Sequence, residues 1–277
     1  MIGCFVAGTL IHTKEGLRPI EQIKVGDDVL STPEDGSGGT AYKKVINTFE
    51  FEDQETWFIS WEDLTMLKAH TKHEIGRDEY LKAYGNGFVI TTPNHLFWVV
   101  SSREKSIECN KLGRRILKLL PPYPQQQWVR ADQLCDGMSL LLADGRIVEV
   151  SRVSRVYKTD TEWLGWIRQN YDDATSKGIM LNFSNANVVP NVHIYAHRFD
   201  SPYCDPEYGL LENPNKSYLY DYPYDEEVPE SWYRSKVYHF EVEDYHTYFV
   251  DTMGVWVHSN NECMTDREFN DARRKSV

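Results

Sequence analysis

The sequence predicts a mostly β fold with an irregular insertion, and three observations carry that expectation. Short runs of β-branched and apolar residues are broken by turns containing Gly and Asp. One layout, a short segment ending in Ile or Leu, then Gly, then a strand, occurs twice, at residues 17–30 and 128–145. Between Tyr157 and Ser235 the pattern fails, and tyrosine and proline accumulate. A hydrophobic content of 41% supplies a core for one large β domain with room for an insertion.

The elements follow in order. Residues 3–13 read as a strand, and Lys14-Glu15-Gly16 supplies a turn. Residues 17–23 read as a short helical or irregular bridge, and 25–30 as the next strand. Residues 34–40 are rich in Gly and Ser and read as a flexible tip. Residues 44–50 and 55–60 read as strands, and the polar stretch 64–84 as a hairpin or short helix. Residues 88–100 are strongly β and carry Thr92-Pro93-Asn94-His95. Inside the insertion, residues 163–171 suit one helix, and 188–194 look extended around Pro190. Residues 237–250 alternate as strand, turn, strand, and Gly254-Val255-Trp256-Val257-His258 ends the periodic region.

Composition excludes several classes. A formal net charge of −12 lacks the basic surface that nucleic-acid binding needs. No run approaches the ~18 apolar residues of a membrane span, and no signal peptide opens the chain. Cys4, Cys109, Cys135, Cys204 and Cys263 are scattered without a CxxC pair, which argues against a disulfide framework and a four-thiolate zinc site. His193 and His197 with Cys204 have metal-like spacing, as do His70 and His73. The first pair shares a face only on a helix, and its surroundings look extended. The acidic run 221–230 reads as a solvated face or a docking surface for a basic partner.

The remaining motifs carry chemistry. Gly3-Cys4-Phe5-Val6-Ala7-Gly8-Thr9-Leu10-Ile11 places a cysteine near one end of the chain. The block at 237–261, VYHFEVEDYHTYFVDTMGVWVHSNN, places His258 beside Asn260 and Asn261 near the other. A thiolate is an intrinsically strong nucleophile once a base or local field assists it. The plain alternative for Cys4 is a small buried core residue, and for His246 a hydrogen-bonded structural one.

Together with Thr92-Pro93-Asn94-His95, these blocks resemble the Hint (Hedgehog/intein) family, most of all the pre-toxin Hint domains of bacterial polymorphic toxins. The resemblance implies a pseudo-twofold β fold, to which the doubled layout corresponds. It covers residues 1–156 and 237–261, leaving 157–236 as an insertion of unassigned role and 262–277 as a tail. It implies an autocatalytic, single-turnover reaction in which Cys4 attacks the carbonyl before it, with Thr92 and His95 as its activating pair. Asp244 and His246 correspond to a supporting polar pair, and His258 with Asn260 or Asn261 to cleavage by Asn cyclisation. No cofactor is required. The partners implied are the flanking segments of the same polypeptide, with an immunity or adaptor protein. The setting implied is the bacterial cytoplasm before export, then secretion or delivery into a target cell.

Two departures qualify the resemblance. Such a long insertion is unusual there, and Ser259 separates His258 from Asn260. No Cys, Ser or Thr directly follows Asn260 or Asn261, so full splicing is disfavoured against cleavage. Two other readings stay open. One is a processing-dead binding module that presents the insertion. The other is a toxin whose insertion supplies a hydrolytic or metal site through His193 and His197.

Overall fold

The computed structural model describes residues 3–63, 86–102, 105–109, 115–119, 123–158, 162–168, 177–183, 191–196 and 232–259. The expected element at 64–84, the acidic run 221–230, His70, His73, His197, Cys204, Asn260 and Asn261 all lie outside these residues.

Among the described residues, fourteen strands join in one antiparallel sheet. The sheet closes on itself where Val257 pairs with Phe97. Closure satisfies the backbone groups that a free edge would leave to solvent. Side chains pointing inward alternate along the strands and meet in one core, with Trp61, Phe97, Phe240 and Tyr248 fully buried.

The repeated layout is a repeated hydrogen-bond pattern. Ile20–Gln22 and Ala131–Gln133 are both single 3-10 turns, entered from extended residues at Pro19 and Arg130. The amide of Ile20 donates to the Thr9 carbonyl at 2.8 Å, and that of Ala131 to the His95 carbonyl at 2.8 Å. Each turn leads to a glycine at φ 92°, Gly26 and Gly137, a conformation that L side chains disfavour. Their amides donate to Val45 and Val150 at 2.8 and 3.0 Å. Thr9 in one half therefore occupies the place of His95 in the other.

Three expected elements differ. The strand at 3–13 is two strands, Phe5–Val6 and Leu10–Thr13, parted by a turn at Gly8 (φ 83°). The strand at 88–100 is Asn86–Thr91 and Leu96–Ser102, parted by the Thr92–His95 turn. The helix expected at 163–171 is the strand Leu164–Arg168 over its described core. A short apolar run with Trp and Ile fits both periods, and here pairing with Lys177–Asn182 decides.

The described residues of the insertion are regular. Tyr157–Lys158, Leu164–Arg168, Lys177–Asn182 and Asn191–Ala196 form a four-stranded antiparallel sheet. Ile167 and Leu181 pack with Cys4, Val6, Val156 and Val237 in one buried cluster. The insertion thus walls off the side of the ring where Cys4 lies.

Candidate active site

Cys4 is seated by two neighbours. Phe5 pairs with Tyr238 on one side and with Thr91 on the other. One step back along each antiparallel register, Cys4 stands opposite His239 and Thr92. Its amide donates to Thr92 Oγ1 at 2.9 Å. Its carbonyl accepts from the Thr92 amide at 2.9 Å and from Thr91 Oγ1 at 2.7 Å. The Gly3–Cys4 bond is thereby held from its Cys4 side. Thr92 grips the amide nitrogen and the carbonyl after it.

Gly3 has no room for a side chain. A Cβ there would lie 2.6 Å from His95 Nδ1 and 2.7 Å from His95 Cα. The His95 ring sits among Phe5 (4.1 Å between centroids), Phe97 (5.8 Å) and Tyr248 (6.2 Å). Burial holds its pKa well below the usual imidazole range, reinforced by His239, while the Gly3 main chain favours the protonated form. The resting ring is neutral at neutral pH.

His239 is the residue that the sequence reading passed over. It is 2% exposed, on the strand Arg234–Val242. Burial pulls its pKa down to about 4, against main-chain groups of Gly3 and Ser259 that favour the charged form. It therefore lies within reach of both ends of the domain. Neither His95 nor His239 completes a ring hydrogen bond among the described residues. Two buried imidazoles with unfilled nitrogens beside one peptide bond are equipped to move protons. The Val237-Tyr238-His239 alternation marks His239 as inward-facing but not as part of a site.

Cys4 itself is 1% exposed, and burial pushes its thiol up to about 12. At pH 7 roughly one molecule in 10⁵ is then a thiolate, so any attack by this sulfur would need a base. Leu181→Ala should thin the apolar wall over the thiol and lower its pKa, with roughly tenfold faster alkylation for each unit recovered. Iodoacetamide labelling at pH 8, followed by peptide mass spectrometry, measures this. An unchanged rate would mean that the wall does not shield the thiol.

Asp244 and His246 are not at this centre. Both are exposed, at φ 59° and 52° in the turn after Val242. Asp244 pairs with Lys43 at 2.7 Å. His246 takes part through its carbonyl, which accepts the Ser259 amide at 2.7 Å. The polar pattern near the closing block is real, but its turn geometry points both side chains outward. His258 is 8% exposed and its Nε2 lies 3.0 Å from Glu34 Oε2. Ser259 is 1% exposed, and its Oγ accepts from the Val242 amide at 3.3 Å. The structure thus brings Cys4, Thr92, His95, His239 and the 258–259 end together.

His193 lies in the strand Asn191–Ala196 and not in a helix. Among the described residues no group of three or more His, Cys, Asp or Glu could hold a metal ion.

Residues 10–80 match the pretoxin HINT domain family. The match begins after Cys4 and stops before Thr92, so it spans part of the chain and includes neither residue. Among solved structures the chain is similar to a bacterial intein-like domain from Clostridium thermocellum, at 20% identity, covering 92% of this chain and 97% of that one, with a TM-score of 0.43. It is also similar to a DnaB intein from Synechocystis, at 10% identity, covering 93% and 99%, with a TM-score of 0.38. No curated protein matches.

Proposed function

We propose that the chain is a self-processing HINT-type domain of a bacterial toxin, cutting its own backbone to free a flanking segment. The observation that carries this reading is the Gly3–Cys4 bond, held between Thr92, His95 and His239 with no space at Gly3 for a side chain. The pretoxin match supports the toxin setting.

In the first step the Cys4 sulfur attacks the Gly3 carbonyl carbon. A C–S bond forms and the Gly3–Cys4 C–N bond breaks, giving a thioester and a free Cys4 amine. The thiol proton passes to a neutral imidazole and ends on that amine. His239 serves as the acceptor and passes that proton to His95, which delivers it to the departing nitrogen, so both rings end neutral. Water or an added thiol then releases the upstream acyl group.

At the other end, the side-chain nitrogen of Asn260 or Asn261 attacks its own carbonyl. A succinimide forms, and the following residue leaves as an amine. Secretion, and an immunity or adaptor protein as partner, belong to this reading as proposals.

The test is intact mass of the chain over time, with and without added thiol, beside Cys4→Ala and a double Asn260→Ala, Asn261→Ala variant. Thiol should trim the chain at Gly3 in the parent and not in Cys4→Ala. A loss beyond Asn260 or Asn261 should vanish in the double variant. A chain that keeps its full mass under every condition would sink the proposal.

A further inference from the structure

The segment expected to be a flexible tip is seated against Thr247 and His258. Between the strands Asp28–Ser31 and Ala41–Glu55, the Thr32 amide donates to Thr247 Oγ1 at 3.2 Å. Trp128 Nε1 donates to the Glu34 carbonyl at 3.0 Å, and a Cβ on Gly36 would sit 3.4 Å from the Trp98 ring. Trp98, Trp128 and Trp256 pack against one another with centroids 4.9–5.1 Å apart. Thus the loop rests on an aromatic floor. From that floor the Glu34 carboxylate reaches His258 Nε2 at 3.0 Å, and the His258 ring stands edge-on to Trp128 at 4.8 Å and 89°. The imidazole is nearly buried (7% exposed), whereas Glu34 keeps one side in water (52%).

We propose that Glu34 is the positioning residue for the C-terminal cleavage: its carboxylate accepts the Nε2–H of His258 and fixes the ring against Trp128. This rests on the reading that His258 serves cleavage at Asn260 or Asn261. The ring gives a proton to the departing amine and takes one from the attacking amide, so it ends as it began. Giving a proton requires the charged ring. Burial opposes that charge and Glu34 favours it, with His246 ahead of the strand Thr247–Val250 opposing it. His239 on Arg234–Val242 and His95 on the Thr92 turn also face His258 and are neutral at neutral pH. Glu34 supplies a carboxylate aimed at this ring.

The experiment follows mass loss beyond Asn260 or Asn261 in the full chain from pH 5 to 9, for the parent and Glu34→Gln. In the parent, the rate falls as pH rises through the His258 pKa. In Glu34→Gln that falling limb should move at least one unit toward acid, so the rate at pH 7.5 drops about tenfold while the gap narrows at pH 5. Equal slowing at every pH, or superimposed profiles, would overturn the proposal. Near-ultraviolet circular dichroism of the tryptophan cluster reports whether the loop remains seated in the variant. If the parent does not cleave there at any pH, the junction reading fails on its own. NMR titration of the His258 ring then decides: a lower pKa in Glu34→Gln upholds the pair, and an unchanged one overturns it.

Discussion

His239→Ala is expected to lower thiol-triggered release at Gly3 by a hundredfold to ten-thousandfold, the usual range for losing a positioned proton carrier. The size of the effect follows from the thiol. With Cys4 held at about 12, the acyl shift depends on an acceptor inside the site. His239 stands opposite Cys4 in the register, is buried, and is neutral above about pH 4. His95 is already packed against Gly3, which leaves the second task to His239. His246→Ala, by contrast, should leave the release rate unchanged, since that side chain is exposed in a turn. Release is measured as intact mass after addition of a small thiol. Equal rates for the parent and His239→Ala would remove His239 from the mechanism.

The second expected result is a steep loss of stability in mild acid. His239 titrates at about 4 when folded and near 6.5 when unfolded. Its folded pKa is depressed, so between these values the unfolded chain binds more protons. Its contribution is complete above pH 6.5 and disappears as pH falls toward 4, a change on the order of 3 kcal/mol. Burial depresses His95 and His258 as well, and they act in the same direction. Asp251 opposes them over part of the window, because burial raises its carboxyl to about 6. Three histidines against one carboxyl leave a net loss. Urea midpoints at pH 7.5, 6.5, 5.5 and 4.5 should fall in order, and His239→Phe should flatten the series. A midpoint independent of pH above 4.5 would contradict the burial of these rings.

Much of the ring was legible in the residues. Alternation located strands, glycine located turns, and the doubled layout located the paired 3-10 turns. Cys4, Thr92 and His95 were legible because each lies in a short motif. His239 was not, because its importance comes from standing opposite Cys4, more than 230 residues away in the chain. The register also shifts between Glu241 and Val242, and counting along the strand does not foresee that irregularity. Asp244 and His246 came only from the family resemblance, while the left-handed turn that turns them outward is a tertiary outcome. Glu34 was hidden for a similar reason. Glycine and serine around it read as mobility, but its anchors, Trp128, Thr247 and His258, belong to distant strands.

The main chain at both Gly3 and Ser259 lies near enough to the His239 imidazole to influence its charge, so the two ends of the described ring converge on one side. Anything attached before Gly3 and anything attached after Ser259 must share that side. Two bulky folded neighbours would crowd each other there, and their mutual pressure would bear on the bonds due to break. Severing either one relieves the congestion. If the domain cuts its own backbone as proposed, the length of the tether on each side is a means of tuning how readily it parts from its neighbours.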